Sequence, residues 1–554
     1  MRVVVVGGGV AGMTAARALQ RVGAQVHVLE QAACAHGLPE RGLGLWPQAV
    51  RGLRALLSPA VFDSSAHFLP PAAYRSRRDG AWLSRCSDGP PDSDGCASSH
   101  LRMVASVRQS ALLALLRDDA HFEGSGRYGP LPALHLSFAQ RVVGVHEQEG
   151  GVAVRFACGR LGDTADIVIG ADGATSAVAR ALAGADGDSV GATSSLASLS
   201  GYSCCSGTLT RGQLLELEHQ LAAAGERPAS AESLRPDWAY ETLDDGGSGS
   251  SSEREEDGNS LRWRRRFAVV PLPGGGLFWF AHFPSPPRAA PDHEEAKGAA
   301  ARGALRRMFA DYHYPVPALL TAALEADTIA EAAVQQEDAS SSAAQSSSSG
   351  CSGRLRWEDL LCHTGVGGGG NGDSTGAALA LAGAAPPLWS CGRVVLLGDA
   401  LQACAANLAQ GAALGVEDGI ELAACVARAR DAADSSELWH EAAFAAFQEQ
   451  RRGRHLQHAQ LTAFTDVLAN PAALVADAAT WDKSPWWLPL SQPCAAQALA
   501  RGRDYLLQAT PRVLNSFIFD KSLQRSLGGS TPTDITFLAT RSQNGSAPRE
   551  RRSE

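Results

Sequence analysis

The chain opens on an apolar run that breaks at three glycines and resumes as small and apolar residues at helical spacing. Residues 2–6, an arginine and four valines, predict a strand buried on both faces. Residues 10–22 predict a helix, and residues 25–29 predict a second strand that ends just before Glu30. Strand, helix and strand in this order predict one βαβ unit.

Alternation of apolar and polar residues marks the middle of the chain as strand-rich. Residues 135–159 alternate around Gly150 and Gly151, which predicts a hairpin or a meander. Residues 165–173 predict another buried strand that ends in a turn, and residues 265–283 predict two strands of an antiparallel sheet.

The later part of the chain returns to a strand followed by helices. A strand is predicted over 393–400 and a helix over 411–430. A further helix is predicted over 436–465, where three basic residues form a stripe: Arg451, Arg452 and Arg454.

Four polar segments interrupt these patterns. They are rich in Gly, Ser, Asp and Glu, and we interpret them as disordered loop insertions: 184–196, 244–260, 338–353 and 364–376.

Length and charge narrow the class of protein. A chain of 554 residues, 45% of them hydrophobic, predicts a globular protein of two or three domains. The net charge of −9 argues against a nucleic-acid partner. The basic cluster at 262–266 is interpreted as a solvated strand edge in preference to a nucleic-acid site.

Cysteine usage and hydropathy point to a soluble protein. Twelve cysteines without a CxxC pair predict free thiols, with no zinc site and no disulfide framework. No membrane span, signal peptide or transit peptide is recognisable, so the default expectation is a cytoplasmic location.

The glycines after the first strand form a phosphate-binding pattern, Gly7-x-Gly9-x-x-Gly12. The first glycine permits the tight turn, the second lets the backbone approach a pyrophosphate, and the third lets helix and strand pack closely. Glu30 is placed to accept hydrogen bonds from a ribose, which predicts a dinucleotide but leaves NAD and FAD open. The contacts expected in this unit are Gly7, Gly9, Ala11, Gly12, Glu30 and Gln31.

A second segment, residues 392–423, resembles the group A flavoprotein monooxygenases, the p-hydroxybenzoate-hydroxylase-like class. In that family the strand ends in Gly-Asp and a GQG-like turn opens a helix. The resemblance implies that Asp399, after Gly398, binds the ribityl chain of FAD. It also implies that the turn Ala409-Gln410-Gly411 directs backbone N–H groups at the pyrimidine end of the flavin, where the positive end of the helix favours the reduced, anionic ring. FAD is therefore the expected dinucleotide.

Two further segments resemble the same family. Residues 165–180 are similar to its DG motif, which implies contacts of Asp172 and Gly173 with FAD and, transiently, with NAD(P)H. Residues 104–116 are similar to a segment whose arginine, here Arg108, lies near the FAD phosphates.

Other segments resemble zeaxanthin epoxidase and related plant and algal monooxygenases, chiefly 200–207, 309–333 and 393–419. This finer resemblance makes the chloroplast an alternative to the cytoplasm. The chain departs from the family beside the second motif, where other residues replace the usual His, Pro and Gly: Gln402, Ala403, Ala406 and Ala409.

The expected fold is α/β, an FAD-binding Rossmann-like domain of the glutathione-reductase type with an inserted antiparallel sheet domain and a helical C-terminal region. The expected FAD-binding domain is discontinuous, with residues 1–185 as its first part and 386–450 as its second. A substrate domain is expected over 186–385, a helical region over 451–530 and a disordered tail over 531–554.

The expected function is an FAD-dependent monooxygenase that uses NAD(P)H and O2 to hydroxylate or epoxidise an aromatic or isoprenoid-type apolar substrate. The alternatives are a flavin-dependent reductase or dehydrogenase on the same fold, a non-catalytic FAD-binding protein, and a plain NAD dehydrogenase. No catalytic residue or metal ligand is assigned, and the oligomeric state is left open. Membrane contact through Trp486-Trp487 or residues 512–529 is the minor alternative to packing against the body of the protein.

Overall fold

Two large β-sheets, of six and seven strands, organise the described part of the chain, beside three smaller sheets of two or three strands. The computed structural model describes the following residues: 1–35, 40–69, 73–84, 104–122, 125–126, 129–183, 198–225, 234, 236, 239–243, 265–284, 299–340, 355–362, 389–403, 410–432 and 438–469.

The strands, in chain order, are β1 (Arg2–Val6), β2 (Gln25–Leu29), β3 (Gly42–Leu45), β4 (Ala66–Leu69), β5 (Ala73–Ser76), β6 (Trp82–Ser84), β7 (Val104–Arg108), β8 (Ser125–Gly126), β9 (Gly129–Pro130), β10 (Leu134–Ser137), β11 (Val142–Gln148), β12 (Gly151–Phe156), β13 (Ile167–Gly170), β14 (Ser198–Leu209), β15 (Tyr240–Leu243), β16 (Arg266–Leu272), β17 (Gly276–Pro284), β18 (Arg356–Cys362), β19 (Ser390–Cys391) and β20 (Val394–Leu396). The α-helices are α1 (Val10–Arg21), α2 (Pro47–Leu57), α3 (Pro59–Ser64), α4 (Gln109–Arg117), α5 (Ala177–Leu182), α6 (Arg211–Ala223), α7 (Ala299–Met308), α8 (Val316–Ser340), α9 (Asp399–Gln402), α10 (Gly411–Ala432) and α11 (Trp439–Ala469).

The first sheet has six strands in the order β10-β2-β1-β13-β20-β19. Five are parallel, and β19 adds an antiparallel edge. Strands β1 and β13 lie in the middle of the sheet, and nearly all their residues are buried, which explains their unbroken apolar sequences. The predicted strands at 2–6, 25–29 and 165–173 are confirmed, whereas the strand predicted at 393–400 is shorter, because β20 ends at Leu396 and α9 begins at Asp399.

The segment 135–159 folds differently from a simple meander. Only β11 and β12 form the expected antiparallel hairpin, with Gly150 in its turn at φ +78°. Strand β10 instead joins the parallel sheet beside β2. Alternation identifies a half-buried strand but does not specify which partner it pairs with.

Small residues bring α1 and α10 together although some 400 residues separate them along the chain. A Cβ at Gly415 would lie 2.8 Å from the Cβ of Ala11, and a Cβ at Gly419 would lie 2.7 Å from the backbone nitrogen of Ala15. Only glycine therefore permits this spacing. The close approach brings the start of α10 to the glycine turn of β1.

A buried arginine of α1 anchors the helix that follows Arg108. Nε of Arg17 donates to the carbonyl of Leu116 at 2.7 Å, and its Nη2 donates to the carbonyl of Arg117 at 3.0 Å. Both carbonyls belong to the last turn of α4, which has no helical N–H groups left to satisfy them. Arg17 thus fixes the C-terminal end of α4 against α1.

The second sheet has seven strands in the order β18-β14-β17-β16-β15-β5-β6. It is mixed and not purely antiparallel as expected, because β15 and β5 run parallel. Helices α6, α7 and α8 contribute to the core on one of its faces, where Phe267 stacks on Trp279 with 5.6 Å between the ring centroids. Residues 265–283 form the two predicted strands.

Two strands of this sheet come from residues 73–84, inside the segment assigned by sequence to the first part of the FAD-binding domain. Asp79-Gly80, with Gly80 at φ +69°, marks the turn of a hairpin, but nothing local shows that β5 pairs with β15. A boundary drawn by continuity along the chain therefore misses it.

Some of the remaining predicted segments lie in the described part of the chain, and others lie outside it. Helix α8 extends to Ser340, so the start of the polar segment 338–353 is helical and not a loop. The segments 184–196, 244–260, 341–353 and 364–376, Trp486-Trp487 and everything beyond residue 469 lie outside the described residues. Among the helices that the structure describes, none is both long enough and apolar enough to cross a membrane.

Candidate functional site

The candidate site lies at the carboxyl edge of the parallel sheet. Four of its strands end there in residues singled out by sequence: β1 at Gly7, β2 at Glu30, β13 at Asp172 and β20 at Gly398. Because these strands are parallel neighbours, their carboxyl ends lie along one edge, where open α/β sheets bind ligands. The structure therefore brings the two motifs to one edge of the sheet.

The three glycines of the first turn differ in what surrounds them. Gly7 has a φ of +105°, and a Cβ there would overlap the carbonyl oxygen of Ala171. A Cβ at Gly12 would overlap the carbonyl oxygen of Gly7. A Cβ at Gly9 would meet no described atom within 4 Å, so glycine at this position leaves open space at the N-terminus of α1. The open space suits a phosphate group approaching the free N–H groups of the helix.

The carboxylate of Glu30 is fixed by the backbone. Gly8 donates its N–H to Oε2 at 2.7 Å, and Ala32 donates to Oε1 at 2.8 Å. An ionised carboxylate can accept about four hydrogen bonds, so capacity for a ribose hydroxyl remains. Gln31 follows as an exposed residue.

The second motif meets the first through Ala11. Gly398, with a φ of +56°, lies so close that a Cβ on it would be 3.1 Å from the Cβ of Ala11. Asp399 is exposed, and its Oδ1 would be 3.8 Å from a Cβ at Gly411, the first residue of α10. An exposed carboxylate beside a helix N-terminus at this edge fits the hydroxyl-rich chain of a flavin nucleotide.

The turn before α10 is partly described. Gln410 is buried, and its Oε1 accepts a hydrogen bond from Nη2 of Arg454 at 3.0 Å. Its side chain therefore points into the protein while Gly411 is exposed. Ala409 and Ala406 lie outside the described residues.

Asp172 caps helix α5. It accepts hydrogen bonds from Oγ of Ser176 at 2.5 Å, the backbone N–H of Ala177 at 2.7 Å and that of Val178 at 3.3 Å. Burial raises the pKa of Asp172, against the effect of these donors. The geometry gives this residue a structural role at the expected edge, and its contact with FAD stays a prediction.

Arg108 is the last residue of β7 and lies beside Gly276 of β17, in the second sheet. Its guanidinium is so near Gly276 that a Cβ there would be 2.6 Å from Nη2. Its expected contact with the FAD phosphates also stays a prediction.

A buried charge cluster joins α10 to α11, and sequence reasoning missed it. We use "α10–α11 cluster" for five residues: Glu417, Asp418, Arg451, Arg454 and His455. Two of the three arginines read as a basic stripe belong to it, whereas Arg452 is exposed. The acidic pair in the sequence VEDG was the available signal, because two adjacent acids inside an apolar helix require partners.

Ion pairs at short distances hold this cluster together. Arg451 donates from Nε to Oδ1 of Asp418 at 2.8 Å and from Nη1 to Oε2 of Glu417 at 3.0 Å. Burial alone would raise the pKa of Asp418, but His455 and Arg451 hold that pKa well below its usual range. The same balance, with Arg454 and Arg451 as partners, lowers the pKa of Glu417. Both acids are therefore ionised at neutral pH.

The second sheet carries another buried polar group, and it corrects the interpretation of 262–266 as a solvated strand edge, because Arg265 and Arg266 are buried. On β16 and its neighbouring strands, Nη1 of Arg266 lies 3.2 Å from Oε1 of Glu241, and Nη2 lies 3.0 Å from Nδ1 of His282. Burial and the adjacent Arg266 hold the pKa of His282 well below its usual range, so His282 is neutral. On the same face, Phe278 packs against Gly42 of β3. This face of the second sheet therefore lies against the N-terminal part of the chain.

Sequence comparison matches the N-terminal part of the chain to an FAD-binding domain. The family model described as FAD binding domain matches residues 1–198. The chain is 29% identical over 185 residues to a 3-amino-4-hydroxybenzoate 2-monooxygenase of Streptomyces platensis, covering 33% of this chain and 42% of that protein. It is 44% identical over 68 residues to a 6-hydroxynicotinate 3-monooxygenase of Pseudomonas fluorescens, covering 12% of this chain and 16% of that protein. The matches thus span less than half the length of these relatives.

Structural comparison extends over nearly the whole chain. HpxO of Klebsiella pneumoniae, solved in complex with FAD and uric acid, superposes with a TM-score of 0.59 at 18% identity, covering 95% of this chain and 97% of that one. The fold is therefore the α/β fold of the flavoprotein hydroxylases, and residues 1–198 carry an FAD-binding domain. FAD, the cofactor expected from sequence, is confirmed, and the open space at Gly9, the fixed Glu30 and the exposed Asp399 fit it.

Proposed function

We propose that this protein is an FAD-dependent monooxygenase that uses NAD(P)H and O2 to hydroxylate a small aromatic substrate. The observation that carries the proposal is the meeting of the glycine turn and the Gly398–Asp399 segment at Ala11. One extended cofactor can therefore contact both. The two curated relatives, named as monooxygenases of substituted aromatic acids, support the reaction class.

The chain offers separate groups to separate parts of the cofactor. The N-terminus of α1 would hold the pyrophosphate, Glu30 a ribose, and Asp399 the ribityl chain. The backbone at Gly411 would meet the pyrimidine end of the ring, where the positive end of α10 stabilises negative charge. These residues would hold FAD, which would supply the redox chemistry: a hydride taken from the nicotinamide, and insertion of one atom of O2 into the substrate while the other leaves as water.

The second sheet would supply the substrate surface. The face of this sheet that carries Phe278 lies against β3 of the N-terminal part of the chain. An apolar ring can therefore be enclosed between the second sheet and the N-terminal part. Enclosure excludes water, which protects an oxygen-transfer reaction from wasteful release of hydrogen peroxide. We propose an aromatic substrate first and an isoprenoid-type substrate, which the likeness to zeaxanthin epoxidase favours, second.

An absorbance spectrum followed by an anaerobic titration tests the proposal. The purified protein is expected to be yellow and to lose its flavin absorbance when NADPH or NADH is added without oxygen. With oxygen present, O2 consumption should match product formed from 3-amino-4-hydroxybenzoate, 6-hydroxynicotinate or, for the second choice, zeaxanthin.

Two results would overturn it. A yellow protein that neither nucleotide reduces, with or without these compounds, is a non-catalytic FAD-binding protein. A protein that saturates a double bond without consuming O2 is a reductase. The replacement of the family's His and Pro residues by Gln402 and its neighbours makes the first result the main competitor.

A further inference from the structure

Two glutamines beside the turns that would contact the flavin are held by the same helix. Gln402 ends α9, after the turn at Gly398, and Gln410 directly precedes α10. His455 of α11 places Nδ1 3.1 Å from Oε1 of Gln402, the last residue of α9. Arg454, the preceding residue of α11, donates to Oε1 of Gln410 at 3.0 Å. Adjacent residues on one helix therefore bind the side chains of both turns.

The α10–α11 cluster fixes the position of these two side chains. Nε2 of His455 lies 2.9 Å from Oδ1 of Asp418, and Oδ2 of Asp418 accepts the backbone N–H of Gly398 at 3.2 Å. Arg454 is held from behind by Glu417, whose Oε2 lies 3.2 Å from its Nε. Buried charge-assisted hydrogen bonds of this kind are short and directional, so they transmit position.

Among the described residues, Asp399 of α9 is a further acid at these turns, with its Oδ1 3.8 Å from where a Cβ at Gly411 would lie. Helix α10 contributes Glu417 and Asp418, and α11 contributes three basic residues. Arg51 of α2, which is partly buried, is a further charged group that interacts with Glu417. The described charges of the cluster are paired with one another, so their contribution at the two turns is to hold position.

We propose that Arg454 and His455 are positioning residues for the flavin, Arg454 acting through Gln410 and His455 acting through Gln402. The inference rests on the proposed function only in placing the flavin ring at these turns. Neither residue lies within residues 1–198, which the family model matches. The role comes instead from a helix that sequence reasoning assigned in part to a separate C-terminal region.

A double-mutant cycle on FAD affinity tests the inference in the full chain. Arg454→Met and Gln410→Leu are made singly and together, and the FAD dissociation constant and the flavin midpoint potential are measured for each. Arg454→Met should weaken FAD binding about tenfold and shift the potential. The double variant should bind FAD at most about twofold more weakly than the weaker-binding single variant, because both changes remove the same interaction. His455→Leu with Gln402→Leu should behave in the same way.

A matched control is available on the same helix. Arg452 is exposed, so Arg452→Met should leave FAD affinity and potential within about twofold of the wild type. Arg454→Lys keeps the charge and should bind FAD more tightly than Arg454→Met. If Arg454→Met does not fold, Arg454→Lys still tests the inference.

The outcomes separate the two proposals. Additive effects of Arg454 and Gln410, or equal effects of Arg454→Met and Arg452→Met, overturn the inference and leave the proposed function standing. Coupled effects in a protein that NAD(P)H does not reduce support the inference and refute the proposed function. A wild-type protein that fails to bind FAD refutes both.

Discussion

Glycines that look alike in the first turn are required for two different reasons. At Gly12 a side chain would overlap the protein itself, whereas at Gly9 it would enter open space. Gly12→Ala should therefore destabilise the FAD-free protein by about 1–3 kcal/mol. Gly9→Ala should leave that stability near the wild-type value and weaken FAD binding, because the added methyl occupies the approach of the pyrophosphate.

Thermal unfolding of the FAD-free protein and titration with FAD measure the two quantities separately. Each variant serves as the control of the other. If Gly9→Ala lowers the stability of the FAD-free protein as much as Gly12→Ala, the open space at Gly9 is not a ligand site.

A buried histidine of α11 should make the fold sensitive to acid. His458 is fully enclosed, and neither ring nitrogen has a hydrogen-bond partner among the described residues. Burial, followed by the positive charges of Arg454 and His455, lowers its pKa to about 3. A folded-state pKa below that of the unfolded chain means that unfolding takes up a proton. The stability is present above about pH 6.5 and falls by about 1.4 kcal/mol per pH unit towards pH 3.

His458→Leu should remove that slope and preserve stability at pH 7, since the replaced group makes no described hydrogen bond. Urea unfolding at pH 4.5 and pH 7 gives the difference for wild type and variant. The exposed His146 of β11 provides the control His146→Leu, which should keep the wild-type difference. An unchanged slope in His458→Leu would assign the acid sensitivity to other groups.

At the scale of elements, the spacing of α1 and α10 links stability to cofactor binding. A methyl at Gly419 would press on the backbone nitrogen of Ala15, so Gly419→Ala should push the helices apart. The turn at Gly411 would move away from Gly9 in consequence. We expect a loss of both stability and FAD affinity, measured by unfolding and by FAD titration.

Gly453 of α11 is the matched comparison. It is exposed, and a Cβ there meets no described atom within 4 Å. Gly453→Ala should therefore stabilise the protein by about 0.5–1 kcal/mol through helix propensity, with FAD affinity unchanged. Equal losses in both variants would show that the effect of Gly419→Ala is not one of helix spacing.

Sequence predicts the elements well where the pattern is local. The glycine turn, β1, α1, β2 and the strand before Asp399 follow from periodicity and backbone sterics, and the structure has all of them. The partners of the basic stripe of α11 could not be predicted, because they are remote along the chain. Arg451 pairs with Glu417, 34 residues earlier, and no local pattern shows whether such a helix face meets solvent or acids.

At the scale of the whole molecule, pairing partners are what sequence leaves undetermined. The hairpin at 73–84 and strand β10 have ordinary strand sequences, yet each joins a sheet that its position along the chain does not suggest. Conversely, the joining of the two flavin segments follows from their resemblance to one family, and the structure confirms it at Ala11. The contacts predicted for individual residues with FAD stay predictions.

The parallel sheet requires residues far beyond the region that the family model matches. Strand β20 pairs with β13, and α10 packs against α1, so residues 389–432 complete the core that residues 1–198 begin. Without them, β13 would expose an apolar edge and α1 an apolar face. We therefore expect a fragment of residues 1–198 to aggregate or to remain unable to bind FAD, as judged by gel filtration and FAD titration. Coexpression with residues 389–469 should recover soluble material, and a monomeric, FAD-binding 1–198 fragment would show that the two segments do not depend on each other.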